Sequence, residues 1–310
     1  MGQTGRDHEW FDYYNTFAYV AADGVRDGSH PQVFEHDQPA DKAIILVHGL
    51  TDSPHFMRAI ADFFHSQLGY DVYLPLLRGH GLRKPAGMTK VRLKDWKANI
   101  AFALEKASTR TNHISIGGLS AGGALSFYTA ATDNRITGSV YLFSAALDIA
   151  GGIGGLWGEV AERLLRTPVA RVLERLEQNK PLINANPFRY ARMDKGGAIQ
   201  LGRLIKDTDR IMAGYNQQKA PFPKRIFAAH SEGDHAAHID GIKALFDIAD
   251  PEKCTLFTIP KAVSHASVVL KEPIYAANCA PEDPPLEEAN PLFDEMMAAL
   301  AAFEKEEQFA

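Results

Sequence analysis

Gly118-Leu119-Ser120-Ala121-Gly122 places a serine between two runs of opposite character. Before it, His113-Ile114-Ser115-Ile116-Gly117 is β-branched and strand-like, and after it Gly123-Ala124-Leu125-Ser126-Phe127-Tyr128 suits a helix. A strand, a sharp turn and a helix would stand the Ser120 hydroxyl above the strand end, beside the positive end of the helix, with flanking glycines letting the chain pass close behind it. The bare string also occurs in ordinary glycine-rich turns, so its weight rests on this strand and helix. A serine hydroxyl is a poor nucleophile at neutral pH. It needs a histidine to take its proton and a carboxylate to fix the histidine tautomer. Both stand downstream, each just past a strand-like run: Asp234 in His230-Ser231-Glu232-Gly233-Asp234 and His265 in Val263-Ser264-His265-Ala266.

Each assignment has competitors. Asp234 could instead cap the helix that follows, leaving Glu232 or Asp240 as the partner of the histidine. His230, His235 and His238 cluster in the same stretch and could suggest a metal site, yet they lack H-E-x-x-H spacing and a convergent set of carboxylates. His265 is preferred because it alone follows the last strand-like run. Acyl transfer further requires backbone donors aimed at the developing oxyanion. The Ala121 amide is one, and the other is expected from the turn Val47-His48-Gly49-Leu50-Thr51, with Leu50 as the donor and His48 in a structural role. This chemistry calls for no metal and no organic cofactor.

The elements that must hold these residues alternate short apolar runs with longer amphipathic ones, as in a parallel sheet with helices on both faces. Strands are expected over 43–47, 71–75, 113–117, 138–143, 225–229 and 254–259. Ser53 and Pro54 read as the N-cap and first position of a helix that Gly69 stops, and further helices are expected over 94–106, 239–249 and 291–304. The rhythm breaks over 148–219, where Val160, Leu164, Leu165, Val169, Val172, Leu173 and Leu176 recur at helical spacing without a strand between them. The expected division is an N-terminal extension over 1–41, an α/β core over 42–147 and 220–310, and an inserted helical cap over 148–219. Leu164 and Leu165 are the expected cap contacts of an apolar substrate group.

Composition narrows the classes. With 310 residues, 45% hydrophobic and 23% charged, the chain fits one large soluble globular domain or a domain carrying an insertion. A net charge of −5 and the lack of a lysine and arginine stripe argue against a nucleic-acid partner. No run reaches the length of a membrane span and the N-terminus lacks a leader pattern, so a cytoplasmic location is expected. Cys254 and Cys279 lack metal-site spacing and are expected to be free thiols, with a bridge between them left open.

With these residues in place the chain resembles the α/β-hydrolase superfamily, and within it the bacterial carboxylesterase and monoacylglycerol-lipase-like branch. The resemblance runs from about Lys42 to Phe303. It rests on His48-Gly49-Leu50-Thr51-Asp52-Ser53-Pro54, Leu76-Leu77-Arg78-Gly79-His80-Gly81, Asp95-Trp96, the Ser120 motif and the loops of Asp234 and His265, in the chain order serine, aspartate, histidine that this fold uses. It implies a mostly parallel central sheet flanked by helices, a helical cap, and hydrolysis of small-molecule carboxylic esters with an apolar acyl group through an acyl-enzyme. Amide or peptide cleavage on the same triad is the alternative; it would favour a cap presenting carboxylates, and Glu159, Glu162, Glu174 and Glu177 stand there at a spacing that also suits a solvated helix face. A fold that binds ligand without turnover is the rival from outside the enzymes. The strand pair that often precedes the His-Gly strand is reduced to Gln32-Val33-Phe34-Glu35, and a proline-rich insert over 272–290 follows His265 closely enough to shape the pocket rim.

Overall fold

The structure is a computed structural model that describes residues 8–147 and 181–307. Among the described residues the strands are β1 (Gln32–Phe34), β2 (Lys42–Val47), β3 (Asp71–Leu74), β4 (His113–Leu119), β5 (Val140–Phe143), β6 (Ile226–Ser231) and β7 (Cys254–Ile259). They form one sheet in the order β1-β3-β2-β4-β5-β6-β7. Only β1 runs antiparallel, on the outer edge of β3; the other pairings are parallel. The helices are α1 (Phe11–Thr16), α2 (Arg58–Leu68), α3 (Leu93–Ser108), α4 (Ala121–Thr132), α5 (Lys195–Gln218), α6 (Ile239–Asp247) and α7 (Phe293–Glu307). This is the α/β-hydrolase architecture.

Successive strand side chains point to opposite faces, and both faces here are covered. Ile45 and Val47 of β2, with Ile114 and Ile116 of β4, share one core with Trp96, Ile100 and Leu104 of α3 and Leu125 of α4. Ile44 and Leu46 of β2, with Tyr141 and Phe143 of β5, share the other with Ile60 and Phe64 of α2 and Met296 and Leu300 of α7. The chain leaves β2 for β3 on one side and returns to β4 on the other. The crevice between the carboxyl ends of β2 and β4 is therefore a topological switch point, where open α/β sheets place their ligands.

Among the described residues the expected strands and helices are present, apart from one local start. Ser53 makes no side-chain cap: Pro54–Met57 is a 3-10 turn and α2 begins at Arg58. The Ser53 carbonyl accepts the Phe56 amide at 3.1 Å, so the backbone takes the donor that a capping hydroxyl would have used. Gly69 ends α2 at φ 71, as its position suggests. Residues 8–41 are not a detached tail, since they supply β1 and pack Trp10 and Tyr13 into the core, with the Tyr13 hydroxyl donating to the Leu76 carbonyl at 2.6 Å.

Of the expected cap, residues 148–180 lie outside those described. The remainder holds α5, which packs on α3 and α4 and opens at Asp194, whose carboxylate accepts the Gly196 amide at 2.8 Å. The segment over 272–290 is pinned back by a bridge between Ile274 and Glu287 and by Asn290, which donates to the Val268 carbonyl at 2.9 Å.

Two kinds of glycine separate cleanly. A Cβ on Gly122 would collide with the carbonyl oxygens of Val47 and His48, and one on Gly118 would stand 2.5 Å from the Val47 oxygen, whereas Gly202 and Gly214 in α5 have open space. Gly122→Ala is expected to cost at least about 2 kcal/mol of stability, because backbone rather than a movable side chain must yield. Gly202→Ala and Gly214→Ala are each expected to add about 0.5–1 kcal/mol through helix propensity. Urea unfolding of the three variants measures both signs.

Candidate active site

β4 delivers Ser120 into a turn with φ 55 and ψ −119, immediately before α4. A non-glycine residue in that region costs about 1–3 kcal/mol and persists only where its surroundings hold it. Here the Ser120 amide donates to the Phe143 carbonyl at 3.0 Å, and its carbonyl accepts from the Ala124 and Ala146 amides at 3.1 and 3.0 Å. Gly118 and Gly122 let β2 lie against the back of the turn. The side chain is thereby presented at the sheet's carboxyl edge, at the N-terminus of α4.

The loop after β6 carries Asp234 and the loop after β7 carries His265, and the two meet, with Asp234 Oδ2 2.6 Å from His265 Nδ1. The other carboxylate oxygen accepts the Ala236 and Ala237 amides at 2.8 and 3.0 Å. Burial works against ionising this carboxyl, but the His265 hydrogen bond and charge, together with the two amides, outweigh it and hold the Asp234 pKa down to about 2. An ionised Asp234 accepts a hydrogen bond from His265 Nδ1–H, which fixes the tautomer that leaves a lone pair on Nε2. Ser120 and His265 line the same cavity of about 520 Å³.

The competitors are placed elsewhere. Asp240 binds His238 and Lys243 at 3.0 Å on the surface, and Glu232 is exposed. His235 and His238 are exposed while His230 is buried with Nε2 3.1 Å from the Ala237 carbonyl, so the three do not converge. No three His, Cys, Asp or Glu among the described residues are placed to hold a metal ion. Cys254 and Cys279 are both free.

Leu50 lines the cavity beside Ser120, and neither its amide nor that of Ala121 has an acceptor among the described residues. His48 sets this turn from beneath. Its Nε2 accepts the Leu77 amide at 3.1 Å, so the ring proton lies on Nδ1 and is donated to the Gly49 carbonyl at 2.9 Å. Burial, aided by His80, drives the His48 pKa far below its ordinary value and keeps the ring neutral. The Gly49 carbonyl and the Leu50 amide belong to one peptide group, so His48 fixes the plane of the candidate oxyanion donor.

Leu164 and Leu165 lie outside the described residues. The cavity also has walls that the sequence did not single out. Leu201 of α5 and Ala146 contribute apolar surface, and Arg189 and Glu287 contribute a charged side. Arg189 and Glu287 stand 98 positions apart and in no recognisable spacing, so only the folded chain brings them together.

The family described as "Serine aminopeptidase, S33" matches residues 38–267. A thermostable monoacylglycerol lipase from a Bacillus species is 31% identical over 215 residues, which cover 68% of this chain and 78% of that protein. Among solved structures, a chain from the metagenome-derived lipolytic enzymes LipS and LipT superposes with a TM-score of 0.64 at 19% identity, covering 91% of this chain and 99% of that one. A monoacylglycerol lipase of Paleococcus ferrophilus gives 0.58 at 16% identity, covering 88% and 97%.

The depressed pKa of Asp234 is also a statement about stability. Its folded value of about 2 lies below the ordinary aspartate value of 3.8, so the stabilisation is fully present above the unfolded pKa and is lost as pH falls through the folded one. Asp234→Asn is expected to lose on the order of 2 kcal/mol at pH 5 and above, with the deficit narrowing below about pH 4. Denaturant unfolding of both proteins at two pH values checks this; a deficit independent of pH would show that the carboxylate's charge is not what Asp234 contributes.

Proposed function

The chain belongs to the serine aminopeptidase S33 family of α/β-hydrolases, and from that premise we propose a serine carboxylic-ester hydrolase in which Ser120, His265 and Asp234 form the triad. The Asp234–His265 contact at 2.6 Å, with His265 lining the same cavity as a serine held at φ 55, is the observation that carries the reading. Ser120 Oγ attacks the ester carbonyl as His265 Nε2 takes its proton. Asp234 stabilises the resulting imidazolium, and the Leu50 and Ala121 amides hold the oxyanion. His265 then gives the proton to the leaving alcohol. The acyl-enzyme is hydrolysed by the same steps run with water.

The ester reading draws support from the 31%-identical relative, a monoacylglycerol lipase, and from the apolar surface that Leu50, Ala146 and Leu201 bring to the cavity. Aminopeptidase chemistry asks for a carboxylate free to bind the substrate's ammonium group. Among the described residues the carboxylates lining the cavity are Asp52 and Glu287, and both are bound to Arg189. Among the described residues, no helix is long and apolar enough to cross a membrane.

Ser120→Ala and His265→Ala are each expected to lower kcat by about a thousandfold or more, with little further loss in the double variant, because the two act as one unit. Additive losses in steady-state kinetics would separate them. We further propose that residues 148–219 form the cap and that Leu164 and Leu165 contact the acyl chain. Each methylene buried there is worth up to about 0.8 kcal/mol, or roughly fourfold in kcat/KM, until the pocket is full. A series of p-nitrophenyl esters is expected to climb from acetate toward medium chains and then level, less steeply when both leucines are changed to alanine. A profile unaltered in that variant would remove the leucines from the acyl site.

A further inference from the structure

The turn that carries Leu50 is held from two directions. From the core side, His48 donates to the Gly49 carbonyl, and His80 Nε2 lies 2.6 Å from the Leu50 carbonyl. From the opposite side the holders come from the stretch that follows residues 148–180. The Tyr190 amide donates to the Thr51 carbonyl at 2.7 Å. Arg189 spreads its guanidinium over three acceptors: Nη2 to Thr51 Oγ1 at 3.0 Å, Nε to Asp52 Oδ1 at 3.3 Å, and Nη1 to Glu287 Oε1 at 2.5 Å. Thr51 in turn donates its hydroxyl to Asp52 at 3.1 Å. Asp52 is almost wholly buried, so this is not a loose surface pair.

The stretch that presents Arg189 is itself fixed. Asn186 Oδ1 accepts the Phe188 and Arg189 amides at 3.0 and 3.2 Å, and the Arg26 guanidinium donates to the Asn186 and Arg189 carbonyls at 3.2 and 3.3 Å. The Tyr190 hydroxyl donates to the Gly79 carbonyl at 2.9 Å and accepts the Leu82 amide at 3.1 Å. A planar fork with fixed donors suits a tie of this kind, because one side chain sets the mutual position of three segments.

We propose that Arg189 is a positioning residue for the oxyanion turn: by clamping Thr51 and Asp52 to Glu287 of the 272–290 insert, it holds the Leu50 amide in the geometry that the tetrahedral intermediate requires. The proposal rests on the reading of Ser120 as nucleophile and Leu50 as oxyanion donor. Arg189 acts through the turn and not on substrate. A donor displaced by a fraction of an ångström loses much of what a fixed donor gives, and a misplacement of about 1 Å can cost a hundredfold.

The test compares Arg189→Ala, Arg189→Lys and Thr51→Val in the full-length protein. Thr51→Val keeps side-chain shape and the Tyr190 bond to the Thr51 carbonyl, so it removes one clamp contact with little risk to folding. Arg189→Ala is expected to lower kcat on a short p-nitrophenyl ester by about 10–100-fold with KM changed little. The inhibition constant of a boronic acid, which mimics the tetrahedral intermediate, should weaken in the same proportion as kcat/KM. The pH profile should keep its shape, since Asp234 and His265 are untouched. Arg189→Lys should restore part of the loss, and Arg189→Ala combined with Thr51→Val should lose less than the sum of the two. An unchanged kcat and inhibition constant would overturn the proposal, and so would a raised KM alone, which would make Arg189 a substrate contact. Fluorophosphonate labelling of the wild type separates the two levels: failure to label Ser120 overturns the serine reading and the clamp together, while labelling with unchanged kinetics in the variants overturns the clamp alone.

Discussion

The approach of β2 to the first turn of α4 is the constraint on which the site depends. Gly122 lies against the carbonyl oxygens of Val47 and His48, and Gly118 against that of Val47, with no room for a Cβ at either. Those oxygens belong to the residues that lead from β2 into the Leu50 turn. The Ser120 turn and the Leu50 turn therefore share one backbone contact, and their relative position is set by hard packing rather than by side chains. This explains how Ser120 can be kept in a strained conformation at a sheet edge. Its amide and carbonyl are both satisfied by β5 and the segment beyond it, and the glycines behind it leave no slack to relax into.

Two buried imidazoles extend that constraint. His48 and His80 sit with ring centroids 4.9 Å apart beneath the Leu50 turn, and burial lowers the pKa of both, well below the ordinary value for His48. A neutral ring offers one donor and one acceptor at fixed angles, which is what the Leu77 amide and the Gly49 carbonyl require of His48. A charged ring in that position would lose its acceptor and release Leu77. The histidines that look reactive in the sequence thus divide by environment. His265 stands in the cavity with a carboxylate behind it, while His48 and His80 are dry structural braces.

Most of the sheet was legible because buried parallel strands read as short apolar runs, and Ile44-Ile45-Leu46-Val47 or Ile226-Phe227-Ala228-Ala229 admit little else. The candidate triad was legible for a related reason, since each member follows such a run and strand ends converge. The start of α2 was misread because Ser53 looks like a cap in sequence, whereas its own carbonyl takes the amide in question. Arg189 was not legible at all. Its partners Thr51, Asp52 and Glu287 come from loops far apart in the chain, and no spacing rule links a residue in one loop to carboxylates in two others.

That blind spot bears on how such an enzyme can change its substrate without losing its chemistry. Ser120, Asp234 and His265 follow β4, β6 and β7, so the segment over 148–219 lies between members of the proposed triad but contains none of them. Sequence there is free to vary as far as proton transfer is concerned. The segment nevertheless includes Arg189 and Tyr190, and both bind Thr51, next to the Leu50 amide. Glu287 fastens the same arginine to the insert that follows His265. The stretch that follows residues 148–180 and the 272–290 insert are thus tied through one guanidinium to the Leu50 turn. A substitution that reshapes the pocket over 148–219 acts on catalysis to the extent that it unseats Arg189, and it leaves catalysis alone to the extent that Asn186, Arg26 and Tyr190 keep that arginine in place.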